Sequence, residues 1–185
     1  MLTAEEVHAQ NHTSRLFTAG PLSIVVRLPS AQEWDLYVDM RGRKSTDARK
    51  LLRSCVLFPS KDELLRLIER KPALARKIDD LVMGLVAPDS GDLVDSDRHA
   101  GAQMLICDGT AYHLRQPTES DYERLEEGAR GSYSTAATHF VKACLLEPSA
   151  LDLDQANASK PGLKHVLAAH LTRMAGADME FTEKK

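Results

Sequence analysis

The stretch "CVLFPSKDELLRLIERKPAL", from Cys55 to Leu74, has the pattern of a helix end, a Pro-Ser break and a second amphipathic helix that stops before another proline. A similar stretch, "CLLEPSALDLDQANASKPGL", lies 89 positions later, from Cys144 to Leu163. Proline disfavours the α conformation of the residue before it, and a serine followed three residues later by an acid caps a helix. Both stretches therefore predict the same succession of helices.

The similarity extends towards the amino terminus of each copy. "RLPSAQEWDLYVD" from Arg27 parallels "RQPTESDYERLEE" from Arg115, and a short β-prone segment precedes each, "LSIVVRL" and "TAYHLRQ". Self-similarity at a fixed offset is the signature of a repeated structural unit. The sequence predicts a mainly α fold (α-dominated α+β) with two pseudo-repeated helical units of about four helices each, each preceded by a short β-strand.

The predicted boundaries follow the repeat. They give an amino-terminal tail (1–18), a first helical unit (19–87), an acidic linker (88–106), a second helical unit (107–176) and a carboxy-terminal tail (177–185). The linker assignment depends on "APDSGDLVDSDRHA", which is rich in Asp, Ser and Gly. Within the two units, the second helix is predicted over 46–57 and 135–146. The sequence does not determine whether the two β-segments pair with each other or with a second chain, so a homo-oligomer stays open.

Composition excludes several classes of protein. Hydrophobic residues make up 43% of the chain and charged residues 28%, which is typical of a soluble globular protein. A net charge of -3 and a pI near 6.2 argue against a nucleic-acid binder. No apolar run approaches the ~18 residues of a membrane span. Three widely spaced cysteines predict a reducing, cytoplasmic compartment rather than a disulfide framework.

The motifs that carry chemistry are missing from the sequence. "DSGDLVDSD" lacks the spacing of a calcium loop, and the seven histidines form no recognisable ligand cluster. Cys55 and Cys144 take equivalent places on apolar helix faces, as buried structural thiols do. We therefore predict a protein that is not an enzyme, with no catalytic residue, no cofactor and no metal.

Candidate partner-binding residues are of two kinds. Large aromatic side chains dominate interface energetics, and a basic cluster can steer an acidic partner. The aromatic residues fit the interior of a small unit equally well, and the basic ones fit a solvated surface. The candidates are Trp34, Tyr37, Tyr122, Arg41, Arg43 and Lys44.

The combination of "RLPSAQEW" or "RQPTESDY" with "LLRSCVLFPSKDELLRLIERKPAL" and the closing "IDDLVMGL" resembles the tail assembly chaperones of bacteriophages. The resemblance covers about residues 20–87 and, more weakly, 109–176. It implies a non-enzymatic, mostly helical protein of the host bacterial cytoplasm that binds the tape measure protein and helps the tail tube protein to assemble. The main alternative is a structural tail or neck component of the virion built from the same module, and a third is a bacterial adaptor or regulator unrelated to phage.

Overall fold

The computed structural model describes residues 2–41 and 45–178, and the chain divides into two compact units at Ala87 and Pro88. In unit 1, an antiparallel sheet of order β1-β2-β3 is combined with five helices in the described residues. The elements are α1 (Ala4–Gln10), β1 (Ser14–Ala19), β2 (Leu22–Arg27), α2 (Ala31–Arg41), α3 (Ser45–Arg53), β3 (Val56–Phe58), α4 (Lys61–Arg70) and α5 (Ala73–Val86).

Unit 2 contains an antiparallel sheet of order β4-β5-β6-β7 together with four helices in its described residues. Its elements are β4 (Val94–Asp95), β5 (Ala102–Cys107), β6 (Thr110–Arg115), α6 (Glu119–Ala129), α7 (Tyr133–Cys144), β7 (Leu145–Glu147), α8 (Ala150–Ser159) and α9 (Leu163–Met174).

From the hairpin onwards, the two units have the same order of elements: hairpin, two helices, a third strand and two helices. The hairpin strands of the units lie 88 residues apart, and the third strands lie 89 residues apart. Each third strand is followed by a cis X-Pro peptide, at Phe58-Pro59 and at Glu147-Pro148. The register of the central strand shifts at Val25/Val26 in unit 1 and at His113/Leu114 in unit 2.

The prediction of a mainly α fold with helical units behind single strands is wrong. Of the described residues, 55% are helical and 19% lie in strands, and the chain is an α+β protein with two antiparallel sheets. Strands β3 and β7 have three residues each, too few to give an alternating apolar pattern. Val56 and Leu145 therefore fitted the apolar stripe of the preceding helix, although α3 ends at Arg53 and α7 at Cys144.

The two segments predicted as tail and linker contain regular structure. Residues 1–18 include α1, which Thr3 and Glu6 cap reciprocally, and most of β1. Residues 88–106 include β4 and most of β5, and they belong to unit 2. Of the predicted carboxy-terminal tail, 179–185 lie outside the described residues.

Each unit buries apolar side chains between its sheet and its helices. In unit 2, Tyr112 and Leu114 lie two residues apart on β6 and so share one face of the sheet, which packs on α7 and α9. Leu114, Leu167 and Leu171 are fully buried there. In unit 1, Val26, Ile78 and Val82 are equally inaccessible. Among the described residues, no helix is both long and apolar enough to cross a membrane.

Candidate partner-binding site

In both units, an arginine at the end of the central strand is paired with an acid in the first turn of the next helix. Arg27 donates from both terminal nitrogens to the Glu33 carboxylate, at 2.8 and 2.7 Å. Arg115 donates to Asp121 at 2.8 Å. The same acids accept from the N-cap amides of Ser30 and Thr118, at 2.8 and 2.9 Å. The sequence predicted the caps but missed the arginines, which stand six residues before the acid in both copies.

These arginines change the acid–base behaviour of their partners. The hydrogen bond from Arg27 is the main reason why the pKa of Glu33 falls to about 2. Arg115, helped by the amide and hydroxyl of Thr118, holds the pKa of Asp121 well below its ordinary value. Both carboxylates are therefore ionised near neutral pH. Their ion pairs connect the end of the central strand to the first turn of the next helix in each unit.

The three cysteines are buried thiols. Cys55 and Cys144 are 1% and 0% exposed, close to the arginine–acid pairs of their own units, and Cys107 is 2% exposed at the end of β5. Burial raises the pKa of each thiol to about 11. Because the thiolate is the nucleophile, none of the three has the properties of a reactive cysteine.

We expect the native thiols to resist alkylation. A rise from the ordinary pKa of 9.0 to about 11 lowers the thiolate fraction at pH 8 roughly a hundredfold, and burial restricts access further. Iodoacetamide labelling followed by intact-mass measurement should modify the native chain at least about a hundred times more slowly than the urea-unfolded chain. Rapid labelling of any one cysteine in the native protein would contradict this assignment.

The structure places the predicted aromatic candidates mostly inside their units. Trp34 is 5% exposed and stacks on the half-buried Tyr37, with ring centroids 5.0 Å apart. Tyr122 is half-buried and packs against the core of unit 2. Arg41 is exposed at the last residue of α2. Arg43 and Lys44 lie outside the described residues.

A cleft of about 750 Å³ runs between α6 and α7 in unit 2. Its floor is apolar, formed by the buried Leu125, Ala136 and Phe140. Its rim carries the exposed Arg124 and His139. The other lining residues are mostly small: Gly128, Gly131, Ser132, Thr135 and Ala143, together with the buried Asp121. The sequence did not predict this cleft. Its one indication in the sequence is Gly128, a glycine inside a helix.

The small residues set the distance between the two helices. A Cβ atom added at Gly128 would lie 2.9 Å from the Cβ of Ala136, closer than carbon atoms approach in proteins. In the sequence alignment of the units, Met40 and Asp47 of unit 1 correspond to Gly128 and Ala136. The close approach of α6 and α7 is therefore built from residues of unit 2 that unit 1 does not repeat.

We expect Gly128→Ala to destabilise the protein although alanine is the better helix former. The new methyl group collides with a Cβ fixed to the α7 backbone, and overpacking costs about 1–3 kcal/mol against a propensity gain of up to about 1 kcal/mol. Gly84→Ala in α5 is the matched control, because an added Cβ there meets nothing within 4 Å. Urea unfolding should show a stability loss for Gly128→Ala and a gain for Gly84→Ala; a gain for both would contradict the close contact.

Part of the predicted acidic linker is bound to the sheet of unit 2 by a polar cluster. The Ser96 hydroxyl accepts from the amides of Arg98 and His99, at 3.2 and 3.0 Å, and lies 2.7 Å from Nδ1 of the buried His113. Glu147 of β7 accepts from Arg98 at 3.0 Å. These contacts hold Ser96 and the residues around it against β6 and β7.

Comparison with known proteins finds similarity in unit 2. The model of a family described as a domain of unknown function (DUF6848) matches residues 107–184. The matched segment begins at the last residue of β5 and includes β6, both helices of the cleft and the elements that follow. Neither the curated proteins nor the solved structures contain a match to this chain.

Proposed function

We propose that the protein is a bacteriophage tail assembly chaperone that binds the tape measure protein in the host bacterial cytoplasm and carries out no reaction. The tail tube protein is the second proposed partner, which the assembly would recruit around the tape measure protein. The proposal starts from the sequence resemblance, and the α6–α7 cleft is the observation in the structure that supports it best.

The dimensions of the cleft suit an amphipathic helix. Its lining positions extend from Ser132, the N-cap of α7, to Ala143, which corresponds to about 16 Å along the helix axis or three turns of an α-helix. An apolar floor between two helices is the arrangement used in helix-in-groove recognition. A tape measure protein is typically a long, helix-prone chain with apolar stripes, so one stripe could lie on Leu125 and Phe140.

The net charge of unit 2, although not the exposed Arg124 at the cleft rim, favours a partner helix with basic flanks. Helix α6 carries four exposed acids that do not line the cleft, Glu119, Glu123, Glu126 and Glu127. Unit 2 as a whole has 10 Lys and Arg against 16 Asp and Glu, whereas unit 1 has 14 against 11. Complementary charge mainly raises the association rate and fixes orientation, so we expect binding that weakens as salt is added.

Co-expression with the candidate tape measure protein tests the proposal. The full-length chain should co-purify with it, and Ala143→Arg or Thr135→Arg should weaken capture about tenfold or more by filling the cleft. Both positions are exposed, so these variants should stay folded by circular dichroism. Ala158→Arg, at an exposed position of α8 away from the cleft, is the matched control and should bind normally.

The outcomes separate the proposal from its rival. A folded wild-type chain that fails to capture the tape measure protein contradicts it, and equal loss with Ala158→Arg would remove the cleft as the binding site. A chaperone should also be absent from purified particles, whereas a structural tail or neck component should be present in them in fixed copy number.

A further inference from the structure

The outer edge of β1 carries backbone groups that the described part of unit 1 leaves without a partner. Ala19 and Leu22 close the β1–β2 hairpin, so Ala19, Phe17 and Arg15 direct their amide and carbonyl groups towards β2. Leu16 and Thr18 lie at the alternate positions and direct theirs outwards. Helix α1 contacts all three strands of this sheet and so lies over its face rather than along this edge.

The equivalent edge in unit 2 is covered by the chain itself. Met104 and Ile106 of β5 correspond to Leu16 and Thr18, and there Met104 pairs with Val94 of β4. The Ile106 carbonyl accepts from the Gly91 amide at 3.0 Å. Unit 1 has no such covering segment among its described residues, because α1 stands immediately before β1. The same strand is thus an inner strand in one unit and an edge strand in the other.

Apart from the exposed charge of Arg15, the β1 edge lacks the features that usually prevent edge pairing. It is six residues long and contains no proline, no lysine and no bulge against β2. Its side chains Leu16 and Phe17 are half-buried, and the residues at its outer positions are uncharged. Natural proteins seldom leave such an edge open unless another strand occupies it.

We propose that β1 pairs with β1 of a second copy of this chain, in antiparallel orientation about a twofold axis at Phe17. In this register Leu16 stands opposite Thr18 of the second copy, and each of these two pairs exchanges both backbone hydrogen bonds. The contact therefore gains four hydrogen bonds and joins two three-stranded sheets into one of six strands. It is independent of the proposed chaperone function, because it uses unit 1 and the cleft lies in unit 2.

The side chains agree with this register. Arg15 stands opposite Ala19 of the second copy, so no two like charges face each other across the axis. Self-complementarity of this kind is what a twofold interface requires, since the same patch must serve both copies. In a parallel arrangement, or after a shift by one residue, the outward amide and carbonyl groups of Leu16 and Thr18 would no longer face the same outward groups of the second copy.

Sedimentation or light scattering on the full-length chain tests the proposal. The wild type should be a dimer over the micromolar range, and Thr18→Pro should be a monomer with an unchanged circular dichroism spectrum, because this amide points away from β2. Thr18→Val keeps the amide and is the control that should remain dimeric. Should Thr18→Pro fail to fold, the charge variants of Ala19 take its place.

The Ala19 variants test the register itself. Ala19→Arg would face Arg15 of the second copy and should weaken the dimer about tenfold, whereas Ala19→Glu should strengthen it. Arg15→Glu combined with Ala19→Arg should restore wild-type association. If the wild type is monomeric at every concentration, the proposal is overturned. This holds even if the monomer binds an added extended peptide at the β1 edge. A dimer whose association is unchanged by all of these substitutions also overturns the proposal.

Discussion

Leu114→Ala is expected to lower the free energy of unfolding by about 3 kcal/mol, the largest effect of any single substitution considered for unit 2. Leu114 is fully buried near the end of β6, opposite Leu145 of β7. Truncating a buried leucine removes its transfer free energy and leaves a cavity that its neighbours fill only in part. Urea unfolding followed by far-UV circular dichroism measures the change through the midpoint.

Ile106→Ala on the neighbouring strand is the control for Leu114→Ala. Ile106 is 46% exposed, so its truncation removes little buried surface and should cost about 1 kcal/mol or less. A loss of equal size for the two variants would mean that the buried face of this hairpin is assigned to the wrong set of alternating residues. A small loss for Leu114→Ala alone would show that its cavity closes readily.

The sequence predicted the helices that follow each proline well, because their signals are local. Ser60 with Glu63 and Ser149 with Asp152 start α4 and α8 as capping boxes. Short strands were harder, since β3 and β7 gain stability by pairing with β2 and β6, which lie much earlier in the chain. The segment "AQMLIC" has no strong alternation, and it becomes a strand because β6 and residues 90–96 bond to its two edges.

The candidate site was less predictable than the fold, because it depends on a distance between helices. Trp34 and Tyr122 were chosen for their size, and size also favours burial, which is where the structure places Trp34. The cleft instead depends on Gly128 and Ala136, whose lack of bulk matters only once α6 and α7 lie side by side. A single sequence contains no signal for that juxtaposition beyond a helix-interior glycine.

Arg115→Met should lower the free energy of unfolding by about 2 kcal/mol at neutral pH. The substitution keeps the apolar stem but removes the cation from Asp121, whose side chain is 8% exposed, and hydrogen bonds to charged groups are worth about 1.5–3 kcal/mol. Thr118 still donates to the carboxylate, which limits the loss. Arg27→Met should cost about 1 kcal/mol or less, because the Glu33 side chain is 29% exposed and water screens the pair.

The effect of Arg115→Met should depend on pH with a definite sign. The pKa of Asp121 is lowered in the folded state, so its stabilising contribution is complete above the unfolded value of about 3.9 and is lost as pH falls below it. Without Arg115, the pKa of Asp121 in the folded state rises towards its ordinary value. Protonation of Asp121 at low pH then removes less stability. The stability difference between wild type and Arg115→Met should therefore be largest near pH 7 and shrink below about pH 4.

Arg98→Met provides the matched control for this pH dependence. Arg98 lowers the pKa of Glu147 in the same way, but both side chains are largely exposed, so its removal should change stability and its pH profile much less than Arg115→Met does. Urea unfolding of the three proteins at a series of pH values between neutral and about 3 tests the assignment. A difference between wild type and Arg115→Met that stays constant across that range would mean that Arg115 stabilises unit 2 through the packing of its stem, and that the charge on Asp121 plays no part.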